Sequence, residues 1–367
     1  MSLKDYFRIS SPSATKVPPS AAEASYRAFR RKTFWGVTAA YSLYYVCRMT
    51  LGIVKQPVID GGVMTASQLG LVDSAMLLVY AVGKFCNGFV ADYCNIRRFM
   101  CWGLVITALA NLVLGVLGLI PGIASGALFV LFALVWGING WAQSMGAPPG
   151  VISLSRWYPL SKRGTMYSIF SSTPYLGKSL TFIVIGLIVG AVGWQWGFLF
   201  SALAGVIGAL TVLVFVSDTP ESRGLPSVEE LSGEEKTPSD SRPVRELQKE
   251  VIRHPGLWVI ALSSAFVYVT QYAVSGWGVL FLQKGKGFSL ESATQIIAFS
   301  EAFGIAGTVL SGWLSDKVFR GSRVRPVVLS GVFCLGALAE RLPLPFSFSR
   351  RALSRRMSSA YPFSACP

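Results

Sequence analysis

Long runs of apolar residues, separated by short polar segments, dominate this 367-residue chain as far as residue 315. A membrane-crossing helix needs roughly 20 apolar residues, because the hydrocarbon layer is about 30 Å thick. Inside lipid the backbone groups must be satisfied within each segment, so these runs must be helices. We therefore predict an all-α polytopic membrane protein. The predicted spans are 34–54, 69–91, 99–120, 126–148, 166–190, 194–216, 257–282 and 292–315.

The composition supports a membrane protein and excludes a soluble enzyme. Hydrophobic residues make up 52% of the chain, charged residues make up only 14%, and the mean hydropathy is +0.51. An ordinary soluble domain is about 25% charged. Too few polar groups are therefore available to cover a water-facing surface. No catalytic constellation and no nucleotide-binding loop occur in the sequence, so we do not expect an enzyme.

The net charge of +15 comes from basic residues that cluster in alternate loops. Cytoplasmic loops of membrane proteins carry an excess of Lys and Arg. With a cytoplasmic N-terminus, the outer loops hold only Lys55, Lys284 and Lys286. We therefore expect a multi-pass protein of the inner (plasma) membrane, surrounded by the lipid bilayer and without a nucleic-acid partner. We expect no metal and no cofactor, because the cysteines lack metal-ligand spacing and the chain has one histidine.

Residues 217–256 are polar and rich in Pro, Ser and charge, which predicts a cytoplasmic linker with a short helix near 244–253. Six spans precede the linker, as in transporters built from two six-helix repeats. A ninth apolar run begins at Val327 and breaks near residue 340, so we expect a frameshift or truncation of the second half. The predicted segments are a cytoplasmic tail (1–33), a six-helix lobe (34–216), the linker (217–256), a partial C-terminal lobe (257–339) and an aberrant, disordered tail (340–367).

A glycine–aspartate–arginine motif occurs twice, once in each half of the chain. Each copy follows an even-numbered span, in a loop that the charge pattern places in the cytoplasm. A glycine lets two helices approach closely, and the charged residues can latch neighbouring helices together. We expect these residues to have structural or coupling roles. They are Gly88, Asp92 and Arg97 in the first copy, and Gly312, Asp316 and Arg320 in the second.

Arg48 is a candidate ligand-binding residue, since an ionisable side chain inside a bilayer costs at least about 2.5–3.5 kcal/mol. It shares one face of the first predicted span with Tyr41, Tyr44 and Tyr45. A polar stripe of this kind suits a water-filled cavity for an anion, because the planar guanidinium matches phosphate. The alternative is an arginine that extends to the outer interface.

Three further ionisable residues inside the predicted spans are candidates for a functional role, and each has two interpretations. Lys84 follows Tyr80 by one helical turn and either faces the same cavity or extends towards the cytoplasm. Lys178 either adds positive charge to the cavity or pairs with Glu301 for packing. For Glu301 we favour this structural pairing over coupling to a proton.

Residues 26–339 resemble the organophosphate:phosphate antiporter family of the major facilitator superfamily. The resemblance is carried by Tyr41–Arg48, Tyr80–Phe85 and Gly88–Arg98, with further matches in 141–149, 162–164 and 304–323. Members of this family, which include transporters and a sensor of phosphorylated sugars, exchange a phosphorylated organic anion for inorganic phosphate by alternating access. The resemblance implies a major facilitator fold in which the C-terminal lobe is incomplete.

The resemblance also implies roles for individual residues. Arg48 falls on the first phosphate-binding arginine of the family, and Lys84 falls on its second-helix lysine. Gln271 occupies the place of a second substrate arginine, so we expect Lys178 to supply some of the missing positive charge. The predicted ligand-binding set is Arg48, Lys84, Tyr41, Tyr44, Tyr45, Lys178 and Gln271.

The sequence departs from the family pattern at three further positions. Pro174 stands where the family has a histidine. Met49 and Gly276 stand where it has a lysine and an acid, so an ion pair between helices has been lost as a whole. Losing one partner alone would leave a buried charge that costs several kcal/mol.

The sequence leaves several functions open. The first is a secondary transporter whose partners are a small phosphorylated metabolite and inorganic phosphate. The second is a membrane sensor of hexose phosphate, whose partner would be a membrane histidine kinase. An inactive truncated fragment and a transporter of a non-phosphate organic anion are the remaining alternatives.

Overall fold

The computed structural model describes residues 3–121, 125–232, 244–314, 318–319 and 324–339. Its regular structure within these ranges is helical, and it forms two compact units, Met1–Ala306 and Gly307–Pro367. The helices are α1 (Leu3–Phe7), α2 (Pro19–Asp60), α3 (Ala66–Ala91), α4 (Ile96–Leu119), α5 (Ser125–Ser144), α6 (Ala147–Trp157), α7 (Leu160–Val192), α8 (Trp194–Phe215), α9 (Val228–Ser232), α10 (Val244–Arg253), α11 (Pro255–Lys286), α12 (Leu290–Trp313) and α13 (Val324–Ala339).

In the part of the chain that the structure describes, eight helices are long and apolar enough to cross a membrane. They confirm the eight predicted spans, and α10 confirms the short helix expected within the linker. The spans are Pro19–Asp60, Ala66–Ala91, Ile96–Leu119, Gly126–Trp157, Leu160–Val192, Trp194–Phe215, Pro255–Lys286 and Leu290–Ser311.

Helix α2 is much longer than the span 34–54 that the sequence predicts. It has 42 residues, and at 1.5 Å per residue this is about twice the thickness of the hydrocarbon layer. Its first turns are anchored by Tyr26, whose hydroxyl donates to the Trp157 carbonyl at 2.7 Å and whose ring stacks on the Trp157 indole. The predicted tail 1–33 therefore includes the start of α2.

The first compact unit is built around α2, which packs along both α7 and α8, while α4 packs along α8 and α3 along α5. Small residues permit these contacts. A Cβ on Gly177 of α7 would lie 2.7 Å from the Ser42 carbonyl oxygen of α2. Bulky side chains fill the wider spaces, as where Phe198 meets Trp136 edge to face at 5.8 Å. The same unit contains α11, so the compact division falls after Ala306 rather than at the predicted linker.

A buried carboxylate joins several segments at the end of the unit where α3 leads into α4. Asp218 pairs with Arg156 and accepts hydrogen bonds from the backbone N–H groups of Ile96 and Ser10, at 3.0 and 2.8 Å. Ser217 beside it is buried too, and its carbonyl accepts from the Trp157 indole at 3.0 Å. The predicted linker therefore starts as a buried part of the fold, not as a free segment.

Helix α11 is buried over its second half only. Ser275 and Val279 are 2% and 1% exposed, whereas Phe266, nearer the start of the helix, is 70% exposed. The buried part packs on α2 near the loop that joins α2 to α3. In the second unit α13 ends at Ala339, which is the last residue that the structure describes. The predicted tail 340–367 lies outside the described residues.

Candidate functional site

Arg48 lies in the second half of α2 and is only 6% exposed. Its guanidinium carbon is 4.0 Å from the ring centre of Tyr80 on α3 and 4.7 Å from that of Tyr272 on α11. The ring of Tyr45, one turn earlier on α2, is 5.9 Å away. Each ring offers the electron-rich face that attracts a cation. Three helices therefore form an aromatic cage around one arginine.

Arg48 has no counter-charge among the residues that the structure describes. It takes part in none of the ion pairs that the described residues form. Its Nη2 is buried without a hydrogen-bond partner among those residues. A buried charge without partners is unfavourable, and in a membrane protein it marks a functional site by default. The arginine is therefore available to an anionic ligand.

Lys84 extends the positive site along α3. This half-buried lysine has its ammonium group 5.6 Å from the Tyr80 ring centre and 5.5 Å from that of Tyr268. Tyr268 in turn stacks on Tyr272 with ring centres 5.7 Å apart. Tyr80 thus lies between the two cations, and the structure brings Arg48 and Lys84 to one site. Lys84, like Arg48, forms no ion pair with a described residue.

The three tyrosines predicted to line one stripe are divided between two environments. The hydroxyls of Tyr41 and Tyr45 are 3.5 Å apart, and Tyr45 contacts Arg48. Tyr44 instead donates a hydrogen bond to the Met100 carbonyl of α4 at 2.8 Å and is 1% exposed. Tyr44 therefore fastens α2 to α4 and does not join the cage.

Lys178 and Glu301 form a buried ion pair that joins α7 to α12. The Lys178 Nζ is 2.7 Å from a Glu301 oxygen, and their side chains are 4% and 8% exposed. The other Glu301 oxygen accepts a hydrogen bond from Ser275 at 2.6 Å. The charge of Lys178 is therefore matched within the protein. Gln271 is half-buried, and the structure gives it no hydrogen bond to a described residue.

The first glycine–aspartate–arginine motif links separate elements. The Asp92 carboxylate accepts from the Gln248 side chain of α10 at 2.8 Å, and the Arg97 guanidinium donates to the Leu213 carbonyl of α8. Among the described residues, no atom lies within 4 Å of the position that a Cβ on Gly88 would take. In the second copy Gly312 lies in α12, whereas Asp316 and Arg320 lie outside the described residues.

A second buried ion pair was not predicted. Lys55, which we expected in an outer loop, lies inside α2, is 0% exposed and pairs with Asp73 of α3. The loop assignment was wrong because the apolar run ends before the helix does. The signal that could have revealed the pair is Asp73 itself, an acid inside the predicted span 69–91.

Solved structures with a similar fold are membrane transporters of the major facilitator type. A bacterial homologue of the human lysosomal transporter Spinster, in an inward-facing and unoccupied conformation, gives a TM-score of 0.60 at 21% identity. The matched region covers 79% of this chain and 63% of that structure, which is less than two thirds of its length. The Escherichia coli xylose transporter XylE, partially occluded and inward open, gives 0.58 at 16% identity over 79% of this chain and 74% of that structure.

Curated relatives are more similar in sequence. A probable hexose phosphate transport protein of Chlamydia trachomatis is 31% identical over 89% of this chain and 72% of its own length. The glycerol-3-phosphate transporter of Bacillus subtilis is 32% identical over 88% of this chain and 73% of its own length. The membrane sensor protein UhpC of Escherichia coli is 27% identical over 82% of this chain and 68% of its own length.

The sequence profile of the Major Facilitator Superfamily matches residues 37–346. This chain therefore belongs to the major facilitator superfamily. The superfamily and the Chlamydia and Bacillus relatives named above are multi-pass membrane transporters and not enzymes. The predicted all-α fold is confirmed, as is the resemblance to the organophosphate transporters within the superfamily.

Proposed function

We propose that this chain binds a small phosphorylated organic anion, such as a sugar phosphate or glycerol phosphate, and carries it across the inner membrane. The observation that carries the proposal is the buried guanidinium of Arg48, which has no acid partner among the described residues. The names of the Chlamydia and Bacillus relatives, a hexose phosphate transport protein and a glycerol-3-phosphate transporter, support the choice of substrate.

The charges around the site favour a dianion. Arg48 and Lys84 both lack an acid partner within the described ranges, whereas the charge of Lys178 is matched by Glu301. A phosphate monoester carries about −1.5 to −2 at neutral pH. Arg48 can bind two phosphate oxygens with its planar fork, and Lys84 can bind a third as a compact point charge. We assign the phosphoryl group to these two residues and the rest of the contact surface to Tyr41, Tyr45, Tyr80 and Tyr272.

Transport would proceed by alternating access between the six-helix lobe 34–216 and the partial lobe 257–339, with inorganic phosphate as the counter-substrate. Inorganic phosphate offers the same oxygens to Arg48 and Lys84, which is what exchange through one site requires. We place the N-terminus and the α3–α4 loop in the cytoplasm, since the basic residues concentrate there. The first glycine–aspartate–arginine motif then holds α3 to α10 and α4 to α8 on the cytoplasmic side.

The binding test uses the purified full chain and isothermal titration with glucose 6-phosphate and glycerol 3-phosphate. Arg48→Gln should weaken binding at least 100-fold, because the phosphate loses its only forked donor. The matched control is Arg27→Gln on the same helix, since Arg27 is 60% exposed and pairs only with Glu23. Unchanged binding by a folded Arg48→Gln protein would contradict the proposal.

A sensor is the second candidate, because the UhpC sensors of Escherichia coli and Salmonella typhimurium are also relatives, at 27% and 29% identity. A sensor would bind the ester and signal to a membrane histidine kinase without moving its ligand. Proteoliposomes loaded with inorganic phosphate separate the two functions. A transporter takes up labelled ester in exchange for internal phosphate, whereas a sensor binds the ester and gives no uptake.

A further inference from the structure

Lys55 makes three contacts with neighbouring helices from a fully buried position. Its ammonium group pairs with the carboxylate of Asp73 on α3. It also donates to the Gly276 carbonyl of α11 at 2.7 Å and lies 3.6 Å from the centre of the Trp277 ring. A lysine on α2 thus joins α3 to α11, and none of these contacts belongs to the phosphate site.

The backbone of α11 comes closest to α2 at the same level. A Cβ on Gly52 would lie 3.1 Å from the Ser275 carbonyl oxygen and 3.5 Å from that of Gly276. The indole of Trp277 packs over Gly70 of α3, where a Cβ would lie 3.6 Å from two ring carbons. Glycines on α2 and α3 therefore make room for α11, and the Trp277 side chain fills the space between the helices.

This contact lies at one end of α11, near the loop that joins α2 to α3. Ser275 and Val279 are buried there, whereas Ile260 and Phe266, towards the other end, are 67% and 70% exposed. The aromatic cage lies between the two ends, since Tyr272 contacts Arg48. Helix α11 is therefore buried against α2 and α3 on one side of the site and largely exposed on the other.

We propose that Lys55, Asp73 and the Gly276 carbonyl form the outer gate of the transport pathway. The inference rests on the proposed function, because alternating access requires α11 to separate from α2 and α3 at the end where they are in contact. Opening this end breaks the Lys55–Gly276 hydrogen bond and lifts Trp277 off Gly70. The gate is coupled to the site by α11, which carries Tyr272 against Arg48 and Ser275 against Glu301.

The test measures how readily a reporter at the site reacts from outside. The reporter is Gln271→Cys in the full chain, labelled in intact cells with a membrane-impermeant sulfonated thiol reagent, with the labelling of the unsubstituted chain subtracted. Lys55→Met/Asp73→Leu removes the gate without leaving an unpaired buried charge. We expect this double variant to raise the labelling rate of Cys at 271 at least tenfold. Lys55→Met alone should do the same if it folds.

The control variant removes an ion pair that touches neither the gate nor the site. Glu23→Gln/Arg27→Gln eliminates an exposed pair on the same helix and should leave the labelling rate within twofold. A labelling rate within twofold of the parent in the folded double gate variant would overturn the gate. Because labelling requires no transport, an unchanged rate beside lost phosphate-ester binding in Arg48→Gln would reject the gate and keep the proposed function.

Discussion

The three fully or nearly buried cations of the spans differ in how their charges are balanced. Lys55 pairs with Asp73, and Lys178 pairs with Glu301, so each ammonium group has a carboxylate partner. Arg48 instead contacts aromatic rings, and it forms no ion pair with another described residue. A cation–π contact is worth about 2 kcal/mol when desolvated, which is less than an unpaired buried charge costs. The difference separates two lysines that are neutralised within the protein from the arginine to which we assign the phosphoryl group.

The Lys178–Glu301 pair allows the two interpretations of Lys178 to be tested. Removing one partner, as in Glu301→Leu, should destabilise the protein by roughly 3–5 kcal/mol, because it leaves Lys178 charged and buried. Lys178→Met/Glu301→Leu should restore most of that stability. Thermal unfolding of the purified proteins in detergent measures both changes.

Binding then decides the role of Lys178. If its charge is neutralised by Glu301, the double variant should bind glucose 6-phosphate within about threefold of the parent. A loss of more than tenfold in the double variant would show that Lys178 contributes to the phosphate site, as the sequence alone led us to expect.

At the scale of the helices, small residues set how closely α7 approaches α2. A Cβ on Gly177 would lie 2.7 Å from the Ser42 carbonyl oxygen, and backbone cannot move aside as a flexible side chain can. Gly177→Ala should therefore destabilise the protein by about 1–3 kcal/mol, as overpacking does. Gly164→Ala is the matched control on the same helix, since a Cβ there would meet no described atom within 4 Å.

Gly164→Ala should be neutral or slightly stabilising, because Gly inside a helix costs roughly 0.5–1 kcal/mol relative to Ala. Melting temperatures of the two variants in detergent provide the comparison. A Gly177→Ala protein that melts together with Gly164→Ala would mean that α7 and α2 are not in close contact at this point.

The sequence predicts the helices well because apolar runs alone decide what can cross a bilayer. It predicts Arg48 and Lys84 because a charge inside such a run requires an explanation. It fails where neighbouring helices decide the outcome. Tyr44 and Tyr45 both lie one turn before Arg48, and only the position of α4 shows that Tyr44 points away.

Lys55 shows a second limit of the sequence. An apolar run ends at the first charged residue, whereas a helix can continue past it. Lys55 is buried inside α2 because Asp73 of α3 neutralises its charge. The family resemblance implies that an ion pair between helices is lost at Met49 and Gly276. The structure shows another contact at the same place, because Lys55 donates a hydrogen bond to the Gly276 carbonyl. Helices α2 and α11 are therefore still joined, but by a hydrogen bond to a backbone carbonyl. The ion pair at this place joins α2 to α3.

At the scale of the whole molecule, the N-terminal segment is attached to the end of the bundle where α3 leads into α4. Ser10 N–H donates to Asp218 at 2.8 Å, and the Asn95 N–H donates to the Phe7 carbonyl at 2.7 Å. Val17 N–H donates to the Gly224 carbonyl at 2.9 Å, just before α2 begins. Asp218, which also pairs with Arg156, therefore connects the chain's first residues to the ends of α4, α6 and α8.

Asp218→Ala removes the acceptor that Arg156, Ile96 N–H and Ser10 N–H share. We expect the segment before α2 to detach first, because it lies at the surface, where its basic residues Arg8 and Lys16 are already exposed. Limited trypsin digestion of the purified protein should then cleave after Lys16 at least tenfold faster than in the parent. Thr219→Ala, next in the chain, is the control and should leave that rate unchanged. Equal cleavage rates in a folded Asp218→Ala protein would mean that the segment is held by the contacts of Phe7 and Val17, and that Asp218 serves only to neutralise Arg156.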